Sequence, residues 1–125
     1  MREWLINLVV AVMAVLAPIQ SIMIVVAILI GADFITGIMK AYKLKEAITS
    51  RALARSIYKM CFYQLAVLSA FLLETYLIPG VLPVTKLVAG VIGLTEFLSV
   101  LENTQKVTGV DLKGVIAMIQ SRKDK

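Results

Sequence analysis

The chain has 125 residues and a formal charge of +5, with 60% of its residues hydrophobic and only 17% charged. Its mean hydropathy is +0.91. Soluble domains are usually ~45–50% apolar and ~25% charged, and a chain this short has too little interior to hide the excess. A water-soluble globule is excluded, and one integral membrane domain over residues 1–125 is expected. The absence of His, the single Cys61 and the lack of a Gly-rich phosphate loop or paired catalytic residues argue against an enzyme, a metal site and a cofactor.

Apolar runs without strand-like alternation predict an all-α fold. The first segment, residues 4–17, is a short apolar helix. Fourteen residues rise ~21 Å, less than a ~30 Å hydrocarbon core. It reads as a possible fourth span, an interfacial helix, or the front of a longer helix kinked at Pro18. Val15-Leu16-Ala17 also resembles a signal-peptide cleavage site, but Pro18 follows it directly. Residues 19–43, 51–78 and 81–104 each hold the ~20 mainly apolar residues of a spanning helix.

The connections carry turn chemistry. Residues 44–50 form a basic link, and Thr49-Ser50 offers a hydroxyl cap to the next helix. Ile78-Pro79-Gly80 and Pro83 mark a tight break. Gly109 and Asp111 suggest a helix stop followed by a new start. In the tail, residues 111–125, Leu112, Val115, Ile116 and Ile119 share one face, which predicts a basic amphipathic helix.

Charge sets the orientation. Lys40, Lys43, Lys45, Arg51, Arg55 and Lys59 face one acid, Glu46, around the link, and the tail is also basic. By the positive-inside rule the link and the C terminus are cytoplasmic, where they meet anionic headgroups. Tyr42 and Tyr58 alone interleave the basic run, so nucleic acid is not an expected partner.

Charges within the apolar runs are the candidate functional residues. An isolated carboxylate in lipid costs several kcal/mol, so Asp33 and Glu96 need partners. Asp33, Gly37 and Lys40 share a helix face, as do Glu96, Ser99 and Asn103. A belt of ion pairs is expected from Asp33, Lys40, Arg55, Lys59, Glu96 and Glu102. It would either tie the helices of one subunit together or face water between subunits, with neighbouring copies satisfying the carboxylates. Thr85, Ala89 and Gly93, with Gly90 beside them, form a small-residue stripe for close helix packing.

The run Asp33-Phe34-Ile35-Thr36-Gly37, then Lys40-Ala41 and the link to Thr49-Ser50, resembles the toxin-secretion and phage-lysis holins. So does Glu96-Phe97-Leu98-Ser99-Val100-Leu101-Glu102-Asn103, and the likeness runs from about Ala17 to the tail. Tyr58-Lys59 stands where paired lysines are often found. The resemblance implies a small phage or prophage protein of the bacterial inner membrane. Its homo-oligomers would open lesions through which an endolysin or toxin passes, a passenger and not a stable partner. It maps the family's motif onto Asp33, Thr36, Gly37, Glu96, Ser99, Glu102 and Asn103 without assigning chemistry. The residues themselves also admit a structural subunit or anchor of a larger complex, or a small channel or transporter.

Overall fold

A computed structural model describes residues 2–124. Helix makes up 87% of the described residues, and no strand occurs among them. Backbone polar groups are thus satisfied within each segment, as hydrocarbon requires. The helices are α1 (Arg2–Leu16), α2 (Gln20–Lys43), α3 (Ser50–Leu72), α4 (Val84–Thr108) and α5 (Leu112–Lys123).

Helices α1 and α2 are joined by a single 3₁₀ turn, Ala17–Ile19, containing Pro18. Proline lacks an N–H and its ring clashes with the carbonyl four residues back. The ladder tightens there and resumes at Gln20, whose N–H donates to the Ala17 carbonyl. Residues 4–17 are therefore the front of one helical run, Arg2–Lys43, of 42 residues. At 1.5 Å per residue the run is ~63 Å long, about twice a hydrocarbon core.

Three helices are long and apolar enough to cross a membrane: Arg2–Lys43, Ser50–Leu77 and Val84–Thr108. α2 packs chiefly on α4, and α3 lies against both. The interior is small, built on Ile19, Val26, Ile30, Val67 and Ile92. Large apolar side chains such as Ile28, Phe62 and Val91 are more than half exposed, at 63%, 64% and 68%. In water this surface would aggregate; in lipid it is solvated.

The ends of the helices show what local chemistry decides. α3 begins at Ser50, and Thr49 occupies the cap position without a side-chain hydrogen bond, so the expected hydroxyl cap does not form. α3 continues as a π turn, Leu73–Leu77, in which the Ile78 N–H donates to the Leu73 carbonyl at 3.0 Å. After the Pro79-Gly80 break, α4 starts at Val84 and not at residue 81, because Pro83 disfavours the helical conformation at Leu82 before it. Its first turn is capped from across the break: the Thr85 N–H donates to Glu74 Oε2 at 2.7 Å. Gly109 ends α4 with φ 74°, in the left-handed region that favours glycine. Asp111 then caps α5 by accepting the Lys113 N–H at 3.1 Å.

Helix α2 ends less comfortably. The Glu46 N–H reaches back to the Ala41 carbonyl at 2.8 Å and the Lys45 N–H to the Tyr42 carbonyl at 3.3 Å. This double closure places Lys45 at φ 55°, where glycine is usual.

Candidate functional site

Half-buried and buried polar residues of α2, α3 and α4 meet in one cluster. Asp33 and Thr36 lie three residues apart on α2, and Glu96, Ser99 and Asn103 recur at three and four on α4, so each set shares a face. Lys59 enters from α3. Its ammonium lies 2.9 Å from Asp33 Oδ2 and 3.1 Å from Glu96 Oε1, and 3.2 Å from Glu96 Oε2.

The second oxygen of Asp33 is occupied as well. Oδ1 accepts from the Ser99 hydroxyl and from Asn103 Nδ2 at 3.2 Å. Asn103 Nδ2 also donates to Thr36 Oγ1 at 3.2 Å, while the Thr36 hydroxyl donates to the Ala32 carbonyl at 2.8 Å. Gly37 lies beside this amide: a Cβ there would stand in ordinary contact, 3.7 Å from Asn103 Nδ2. Glu96 is 1% exposed and Asn103 8%. Two carboxylates share one ammonium, so the cluster has a formal charge of −1. Removing one partner of such a buried set is far costlier than replacing the whole set by apolar groups.

The six-charge belt contracts to three. Asp33, Lys59 and Glu96 pair; Lys40, Arg55 and Glu102 make no ion pair among the described residues. Lys40 is seven residues beyond Asp33, ~10 Å along the helix, with no carboxylate within 4.0 Å among the described residues. Glu102 is six residues from Glu96, ~1.7 turns, which turns it away from the shared face. It is exposed and borders a hollow between α4 and α5. The carboxylates also need no neighbouring copy, since Lys59, Ser99 and Asn103 of the same chain satisfy them.

Lys40 and Arg55 instead line a cavity of about 330 Å³ against the cluster, bounded by the end of α2, the link and the start of α3. Asp33, Gly37, Lys59, Ser99 and Asn103 form its inner wall.

Below the cluster the same face of α4 turns small and apolar. Thr85 is buried and Ala89 packs against the core. At Gly93 a Cβ would stand 3.4 Å from Leu29 Cδ1 of α2, the close end of ordinary contact, whereas Gly90 opens on empty space. Gly90 borders a shallow apolar groove with Val25, Leu94 and Phe97.

Further polar contacts join distant segments. Gln64 Nε2 donates to the Met23 carbonyl at 2.8 Å, tying α3 to α2. Lys43 Nζ donates to the Val107 carbonyl, tying the end of α2 to that of α4. Gln64 is an amide in an apolar run, and its partner is a backbone carbonyl, which no residue pattern marks.

A family model described as the bacteriophage holin family matches residues 10–120. No curated relative and no solved structure matches the chain.

Proposed function

The chain belongs to the bacteriophage holin family, and we propose that it self-associates in the bacterial cytoplasmic membrane and opens lesions that release an endolysin or a toxin. The family match and the three membrane-spanning helices make it a holin-like multi-pass membrane protein. The observation that carries the mechanism is the charged layer Asp33–Lys59–Glu96, held between α2, α3 and α4 with Glu96 buried and Asp33 and Lys59 opening on the cavity. In a lone subunit Glu96 is desolvated and the layer carries a formal negative charge. When subunits gather and α2 and α4 part, the same side chains line water, which removes the desolvation penalty. The groove around Gly90, where backbone is accessible from lipid, supports close approach of a second copy. The basic link and tail lie on the cytoplasmic side and touch anionic headgroups.

Expression of the protein alone in bacteria, with membrane potential and viability followed over time, tests this reading. Depolarisation at a threshold of accumulation is expected; intact potential at high expression contradicts it.

One observation favours a second reading, a structural subunit or anchor. The cluster is satisfied within a single chain, as a purely structural tie would be. Co-purification with a partner at fixed ratio, together with harmless expression alone, would select that reading.

A further inference from the structure

We propose that the cavity beside the charged cluster is a binding site for a phosphate-bearing anion, the headgroup of an anionic phospholipid or free phosphate. Its lining contains Lys40, Arg55 and Lys59 against Asp33 and Glu46. Lys59 and Asp33 are already engaged with each other. Lys40 and Arg55 have no carboxylate within 4.0 Å among the described residues, and Glu46 is the one unengaged acid facing them. At the mouth of the cavity Lys40 and Arg55 outweigh Glu46 by one positive charge, while the inner wall carries the −1 of the Asp33–Lys59–Glu96 cluster, so an anion is drawn to the mouth. The mouth combines a guanidinium, whose planar fork matches phosphate oxygens, with a lysine point charge. A volume of about 330 Å³ falls within the range of small-molecule sites.

Depth and shape favour the lipid source. Lys40 lies near the C-terminal end of α2 and Arg55 near the start of α3, at the level of the basic link, where anionic headgroups concentrate. Phe34, Ile38 and Ile48 supply an apolar share of the wall. Arg55 and Lys59 also border a second hollow, with Tyr58 and Phe62, on the outer side of α3. A headgroup held by Lys40 and Arg55 can therefore send an acyl chain down α3. Seated there, the anion bridges Lys40 of α2 and Arg55 of α3 at the mouth of the cavity. The inference rests on the membrane placement of this end of the bundle and not on lesion formation.

The test uses the full-length protein in nanodiscs of phosphatidylcholine with or without phosphatidylglycerol, and native mass spectrometry of the lipid retained on release. The wild type should retain phosphatidylglycerol in preference to phosphatidylcholine. Lys40→Gln and Arg55→Gln should each weaken retention about fivefold, the worth of one cation near an anionic surface. Lys40→Arg should keep it. Lys45→Gln and Lys123→Gln remove the same charge outside the cavity and should change it by less than about twofold on the same scale. Inorganic phosphate added to the discs separates the sources: displacement assigns the site to free phosphate, and persistence assigns it to the lipid. Retention unchanged in both cavity variants, or lost equally in the two controls, would overturn the site. Depolarisation measured on the same variants is a separate readout, so a failed lesion assay leaves the retention result standing.

Discussion

The three-helix bundle and the helices that flank it are both rich in apolar residues, yet only the bundle has an interior. α1 and α5 contain no buried residue. In α1 the side chains of Trp4, Ile6 and Val10 are 57%, 59% and 60% exposed. Lipid is as apolar as these side chains, so burying them against another helix gains little, and association depends on polar contacts and close packing. α2, α3 and α4 bring Asp33, Lys59, Glu96 and Asn103 to one level and Gly93 to another; the polar residues of α1, Arg2, Glu3 and Asn7, all lie in its first two turns. Which helices meet in this protein is decided by its few polar and small residues.

The sharpest way to break that contrast is Lys59→Ala, which leaves Asp33 and Glu96 unpaired. A loss of about 3–5 kcal/mol is expected in denaturant titration of the purified protein in bicelles. Val10→Ala in α1 should stay within about 0.5 kcal/mol. Adding Asp33→Asn and Glu96→Gln to Lys59→Ala should recover much of the loss, because no uncompensated charge remains. Equal effects of Lys59→Ala and Val10→Ala would end the comparison.

Gly93→Val tests the packing half of the claim. Its added atoms meet Leu29, and overpacking of this kind costs about 1–3 kcal/mol. Gly90→Val faces open space and should leave bundle stability alone while lowering the yield of cross-linked oligomers, if copies meet at that groove. A smaller loss is expected for Glu74→Gln, which keeps the Thr85 hydrogen bond but removes its charge; amide exchange at the first turn of α4 should quicken. Smallest, and of opposite sign, is Lys45→Gly. It relieves a left-handed lysine and should add up to about 1 kcal/mol, partly offset by the extra freedom of glycine in the unfolded chain.

Much of this was legible from residue order. Pro79-Gly80 and Pro83 foretold the break before α4, and Gly109 with Asp111 the stop and restart before α5, because each acts through its own backbone. The spacing of Glu96, Ser99 and Asn103 put them on one face for the same local reason. Other features were not legible. The π turn at Leu73–Leu77 has no residue signature, and its partner contact, Glu74 to the Thr85 N–H, crosses a break whose path is set by packing. The continuity of α1 with α2 through Pro18 was one of several readings of the same residues.

The candidate site divides along that line. Hydrophobicity and charge placement determined that the protein lives in a membrane with three spanning helices, and that Asp33, Lys59 and Glu96 had to find partners there. Tertiary structure decided who those partners are. It brought Lys59 between the two acids, turned Glu102 away and left Lys40 and Arg55 facing a cavity. Hydrogen bonds and ion pairs hold to about 3 Å, a distance that rests on the relative rotation and depth of three helices. Patterns along one helix fix a face, and only the packed bundle fixes what that face meets.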